Sequence, residues 1–121
     1  MKICVIAALF ALVVMPTTAE ATRRTPPRVK TMRLAATAYC HSGRTRSGER
    51  TRVGTVAADP RVLPIGTVLR IHPHRRTYTV TDTGSGVRGR QLDIYMPSCR
   101  NARAFGRRRI RVEIVERALL R

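Results

Sequence analysis

The feature that most constrains the fold is how the chain breaks, from Arg33 onward, into six short runs rich in β-branched residues and punctuated by Gly and Pro. The runs are "RLAATAYC" (33–40), "VGTVAA" (53–58), "TVLRI" (67–71), "TYTVTD" (77–82), "QLDIYM" (91–96) and "IRVEIVE" (110–116). Each has the length and composition of a strand, and Ile110, Val112 and Ile114 alternate as a half-buried strand requires. Before the last run, Ser98 reads as an N-cap, "CRNARAF" (99–105) as two helical turns and Gly106 as the residue beyond the helix end. Six strands and one short helix in about 85 residues fit a small closed or nearly closed barrel better than a sandwich of long strands. "DPRVLPIG" (59–66) places Pro60 and Pro64 so that Asp59 and Leu63 leave the α region, which predicts an irregular extended crossing between strands.

Residues 1–21 are set apart from that fold. Lys2, the apolar run Ile3 to Met15 and the small-residue stretch around Ala19 and Ala21 are the three parts of a secretory signal peptide. The run is too short for a membrane span. Cleavage after Ala21 predicts a secreted protein, in the periplasm or cell wall, with no membrane insertion. Residues 22–32, led by "TRRTPPRVK", read as a disordered basic tail, and 33–117 as the folded domain. Removing the leader removes Cys4 and leaves Cys40 and Cys99. In an oxidising compartment that pair predicts a disulfide, which on chain-entropy arithmetic contributes roughly 4 kcal/mol. The alternative, a nucleophilic Cys40, has only the sequence neighbour His41 to suggest it.

Charge comes next: 24 Lys and Arg face 7 Asp and Glu, for a net charge of +17, and all but Lys2 and Lys30 of the cations are arginine. Outside the cytoplasm the anionic partners on offer are cell-wall polymers with their carboxylates and phosphates. A generally solvated basic surface is the other reading. With two Phe, three Tyr and no Trp, the chain lacks the stacking platforms of single-strand binders, and nucleic acid is not the expected partner. His72 and His74 flank Pro73 without a third ligand in view, so they read as solvated turn histidines rather than a metal site.

Against this background carboxylates are scarce: Asp59, Asp82 and Asp93 are the only aspartates. Asp82 ends one predicted strand, Asp93 lies in the next, and Gly84, Gly86 and Gly89 occupy the loop between them. If that loop brings the strand ends side by side, the two carboxylates share a cleft. Their repulsion then raises one pKa enough for general-acid work on a glycosidic bond. The competing reading has Asp82 capping turn amides and Asp93 paired with an arginine.

"ATAYC", "GRTRSG", "GTVAADPRVLPIGTVLRI", "YTVTDTGSGVRGRQLDIY" and "ARAFGRRRIRVEIV", in that order, resemble the three-aspartate (3D) domain family from Ala36 to about Val115. The family is similar to the catalytic barrel of membrane-bound lytic transglycosylase A and to rare lipoprotein A-like proteins. The resemblance implies an all-β, six-stranded double-psi β-barrel and a peptidoglycan lytic transglycosylase, working as a monomer on glycan strands without metal or cofactor. It assigns Asp93 as acid/base, Asp82 as the group that orients it or raises its pKa, and Asp59 as a third cleft carboxylate, with Tyr39, Thr67 and Gly84 as substrate contacts. One carboxyl suffices in such an enzyme, because an internal sugar hydroxyl replaces water. "DTGSGVRG" carries an inserted Ser85 relative to the usual "DTGG" pattern, and this leaves open a barrel that binds wall polysaccharide without cutting it, as expansins do.

Overall fold

A computed structural model of the protein describes residues 29–74 and 76–118. The expected leader and residues 22–28 of the tail lie outside the described residues. The elements are β1 (Lys30–Tyr39), β2 (Thr55–Ala58), β3 (Val68–Ile71), β4 (Thr77–Asp82), β5 (Gln91–Tyr95), α1 (Cys99–Phe105) and β6 (Arg108–Glu116). The strands close into a barrel in the order β1-β5-β2-β4-β3-β6, with β1/β5 and β2/β4 parallel and the other four pairings antiparallel. This is the six-stranded barrel with one short helix that the strand pattern and the resemblance predict.

Each strand turns alternate residues inward. Leu34 and Ala36 of β1, Val56 and Ala58 of β2, Leu69 and Ile71 of β3, Val80 of β4, Leu92 and Ile94 of β5 and Val112 of β6 form the core, and Leu63 joins them from the β2–β3 connection. Two alanines among these positions keep the interior narrow enough for side chains to fill it. A fully buried Leu such as Leu69 contributes about 1.5–3 kcal/mol. The first strand begins earlier than expected. Lys30, Thr31 and Met32, assigned to the tail by composition, pair with Ile114, Glu113 and Val112 of β6. Their backbone groups satisfy the far end of that long strand, so the partner, not local propensity, sets where β1 starts.

The helix has the predicted bounds. The Ser98 hydroxyl accepts from the Asn101 amide at 3.3 Å, and Gly106 ends the helix at φ 61°. Arg108 donates from Nε to the Phe105 carbonyl at 2.7 Å and lies over the Phe105 ring at 4.7 Å, so the last turn has a cation against its free carbonyls. Cys99, the first residue of the helix, is bonded to Cys40 just beyond β1.

The β2–β3 crossing differs from the extended path predicted for it. It is a turn, with the amides of Val62 and Leu63 both donating to the Asp59 carbonyl at 2.9 Å. The Asp59 carboxylate holds this turn together and is almost entirely buried. Its Oδ1 accepts from the Arg61 amide at 3.0 Å and from Arg61 Nε at 3.1 Å. Its Oδ2 accepts from Arg61 Nη2 at 2.7 Å and from the Gly89 amide at 2.8 Å. The Arg61 guanidinium, with the two amides, holds the Asp59 carboxyl well below its ordinary value of 3.8. Asp59 is thus a clamp between the turn after β2 and the loop before β5.

Two outcomes follow from these tethers. Cys40→Ser with Cys99→Ser, which frees a loop of sequence separation 59, should lower unfolding free energy by about 4 kcal/mol in a urea titration while leaving the barrel's circular dichroism intact. Asp59→Asn should lower the melting temperature at neutral pH. Because the folded-state pKa of Asp59 is depressed, its stabilisation is present above about pH 3.8 and is lost as pH falls further, so wild type and variant should converge in acid.

Candidate functional site

The site lies on the outer face of the barrel and follows from strand alternation. With Leu92 and Ile94 turned inward, β5 presents Gln91, Asp93 and Tyr95 outward, and β1 presents Ala35, Thr37 and Tyr39 in the same way. The parallel register sets Ala35 against Gln91, Thr37 against Asp93 and Tyr39 against Tyr95. The Thr37 hydroxyl donates to Asp93 Oδ1 at 3.0 Å, and the two tyrosine rings meet at 5.5 Å between centroids.

On its other side β5 pairs with β2, which aligns Ala57 with Asp93. The β2–β4 ladder passes from Val56↔Val80 directly to Ala57↔Asp82 and skips Thr81. Strict alternation would send Asp82 inward with Val80. The bulge at Thr81 instead brings it to the Ala57 side, the outer face, as bulges commonly re-aim a side chain. The two aspartates therefore flank β2, two interstrand spacings or about 10 Å apart at the backbone. The β4–β5 loop does not bring their strands side by side, as the sequence suggested; β2 runs between them.

Asp93 opens into a groove of about 380 Å³ lined by Ala35, Thr37, Gln91, Arg107 and the loop from Gly84 to Val87. Gly84 permits that wall: a Cβ there would lie 2.6 Å from Val87 Cγ2, while the Val87 amide closes onto the Gly84 carbonyl at 3.0 Å. Burial pushes the Asp93 carboxyl above its ordinary value of 3.8, and the Thr37 hydrogen bond offsets this only in part. The rise comes from desolvation, not from Asp82 as expected. Among the described residues no guanidinium or ammonium lies within ion-pair distance of Asp93 or Asp82.

Asp82 serves the loop between β1 and β2. Its Oδ1 accepts from the amides of Arg46 at 2.9 Å and Thr83 at 2.8 Å, and the Ser47 amide donates to the Thr81 carbonyl at 2.9 Å beside it. Tyr39 lies in the field of both aspartates. Burial first, then the negative charges of Asp82 and Asp93, push its phenol up to about 12. The Thr51 hydroxyl offsets part of this rise, but it is already committed to Gly43, accepting from the amide at 3.2 Å and donating to the carbonyl at 3.0 Å. The buried Tyr39 hydroxyl has no hydrogen-bond partner.

The expected site residues separate accordingly. Asp93 and Gly84 line the groove, and Asp82 and Tyr39 stand beside it on the same face. Asp59 is not a cleft carboxylate: four donors surround it in the turn after β2. Thr67 is not a surface contact either. It is fully buried before β3, where its backbone links the Pro64 carbonyl to the Val80 amide. His72, expected in solvent, sits with Nε2 3.5 Å from Glu113 Oε2. Thr37 and Arg107 escaped the sequence reading, because nothing local marks Thr37 as the residue that a parallel strand places against Asp93.

Comparisons with known proteins agree with this architecture. The chain is 28% identical over 96 residues to YabE, a candidate cell wall shaping protein of Bacillus subtilis (strain 168), covering 71% of this chain and 23% of YabE. It is 27% identical over 95 residues to the cell wall-binding protein YocH of the same organism, covering 71% of this chain and 33% of YocH. The chain thus spans a third or less of either relative's length. In structure it is similar to the lytic transglycosylase MltA from Escherichia coli, with a TM-score of 0.53 and 20% identity over 65% of this chain and 29% of MltA, which establishes the shared barrel fold. The sequence model of the 3D domain matches residues 54–116, and the chain belongs to the 3D domain family.

Proposed function

We propose that the protein is an extracytoplasmic, peptidoglycan-active barrel that works as a lytic transglycosylase, with Asp93 as its acid and base. The observation that carries this reading is the state of Asp93. In a chain with a net charge of +17, it lines an open groove, accepts one hydrogen bond from Thr37, has no cationic partner among the described residues and is biased by burial toward its protonated form. A carboxyl so placed can give its proton to the oxygen of the β-1,4 bond between MurNAc and GlcNAc as that bond breaks. The resulting carboxylate then takes the proton of the muramoyl C6 hydroxyl as its oxygen closes on C1, giving the 1,6-anhydro product and restoring the acid. Thr37 fixes the orientation of Asp93, and Asp82 adds negative charge on the same face as the oxocarbenium-like state develops. The wall-related relatives and the barrel shared with MltA support the cell-wall assignment.

A second reading, a barrel that binds wall glycan without cleaving it, is favoured by the similarity to YocH, a cell wall-binding protein. Mass spectrometry of digested sacculi separates the two. The transglycosylase reading predicts anhydromuropeptides from the wild type and a fall of about 100-fold or more in their release by Asp93→Asn. Identical products from both proteins would remove it, and sacculus binding without products would leave the second.

The same substitution has a stability signature. The folded-state pKa of Asp93 is raised, so its contribution is fully present below about pH 3.8 and is lost as pH rises through the folded value. Asp93→Asn should therefore melt a few degrees higher than wild type near neutral pH, and the difference should vanish in acid.

A further inference from the structure

The Asp93 groove does not end at Ala35. That residue also lines a second depression of about 360 Å³, whose other walls are Arg33, Leu34, Arg90 and Arg109. Thr37, which touches Asp93, lies two residues further along β1, so the second depression starts about 7 Å from the acid. Arg107 stands in the first depression and Arg109 in the second. Within β6, Arg109 and Arg111 lie two apart and share the outward face, and Arg107 immediately precedes the strand. The β1–β6 ladder sets Ala35 opposite Arg109 and Arg33 directly opposite Arg111.

All five arginines, 33, 90, 107, 109 and 111, are exposed, and none forms an ion pair or a side-chain hydrogen bond among the described residues. Three acids are paired with other cations: Asp59 with Arg61, Glu49 with Arg52, and Glu113 with Arg70 and His72. Like charges directly opposite on neighbouring strands destabilise a sheet. An unneutralised arginine row joined to a groove that holds a carboxyl is therefore a surface matched to an anion bound in that groove's continuation. Guanidinium groups suit carboxylates in particular, because their paired N–H donors match the two oxygens.

We propose that Arg33, Arg90 and Arg109 form a subsite for the carboxylates of the peptide stems carried by muramoyl residues next to the one at Asp93, so that the protein selects stem-bearing glycan. The inference rests on the peptidoglycan reading of the groove, and it commits to carboxylates rather than to the phosphates of other wall polymers. The arginine row then serves as a specific extension of the site, not as general surface charge.

Binding measurements test the subsite without relying on turnover. Asp93→Asn protein, which leaves the wall material uncut, is titrated onto intact sacculi, onto sacculi whose carboxylates have been amidated by carbodiimide coupling, and onto sacculi stripped of phosphodiester polymers with hydrofluoric acid. The subsite predicts at least about tenfold weaker binding to amidated than to intact sacculi and little change on stripped ones. It further predicts that adding Arg33→Gln, Arg90→Gln and Arg109→Gln removes the difference, while the same charge change at the exposed Arg50, Arg100 and Arg117 preserves it. The melting temperature of the subsite variant should hold or rise, since Arg33 no longer faces Arg111, and this excludes misfolding as the cause. Equal loss from the control triple, equal binding to amidated sacculi, or loss only on phosphate-stripped sacculi would each overturn the proposal. If anhydromuropeptides never form but this pattern holds, the transglycosylase reading fails and the subsite stands.

Discussion

The parallel pairing of β1 with β5 is the contact on which the site depends. Two strands nearly 60 residues apart in sequence lie side by side with Ala35 opposite Gln91 and Thr37 opposite Asp93. Parallel strands cannot be joined by a tight turn, and the long connection between these two supplies β2, β3 and β4 of the same barrel. The 40–99 disulfide lies just beyond the same end of both strands and ties that closure covalently. A register shift of one residue would send Asp93 into the core and Leu92 to solvent, and burial of Leu92 and Ile94 forbids it. The hydrophobic pattern of β5 thereby fixes the position of a polar group on its other face.

Electrostatics divides the three aspartates into different tasks. Asp59 is given a guanidinium and two amides and becomes a structural clamp, its carboxyl held well below the ordinary carboxylate range. Asp93 is given one hydroxyl and a partly dry surface, and its ionised form is disfavoured. Asp82 accepts two backbone amides and holds the β1–β2 loop near the groove. With 22 arginines in the chain, the informative fact is that among the described residues none is within ion-pair distance of Asp93, although Arg107 lines the same groove, since a paired guanidinium would favour the carboxylate over the acid. Tyr39, on the same face, feels the charge of both Asp82 and Asp93, its phenol held protonated by burial first and then by that charge.

MltA shares the fold over 29% of its length, and the Bacillus subtilis relatives likewise extend well beyond the matched region. Beside the Asp93 groove this chain carries exposed arginines on β1 and β6, among them Arg33 directly opposite Arg111, with no ion pair to an acid among the described residues. A substrate that carries its own negative charge along a polymer is the natural complement of such a surface, and binding energy of that kind adds up over repeating units.

Much of the fold was legible in the sequence because its cause is local. β-branched runs between Gly and Pro located all six strands, though not all of their ends, Ser98 and Gly106 bounded the helix to the residue, and the two cysteines outside the apolar leader had only each other. Asp93 in the groove and Asp82 beside it could also be named, since so few carboxylates are present, although the motif resemblance was needed to prefer them. What the sequence left open was each aspartate's surroundings. Asp59 looked like its two namesakes until Arg61 and the Gly89 amide were placed around it, and Asp82 reaches the outer face only through a bulge at Thr81. Thr37 acquires its role solely from a distant strand. Local periodicity determined which side of each strand is buried. Only closure of the barrel decided which polar groups meet on the opposite side, because that depends on register between strands far apart in sequence.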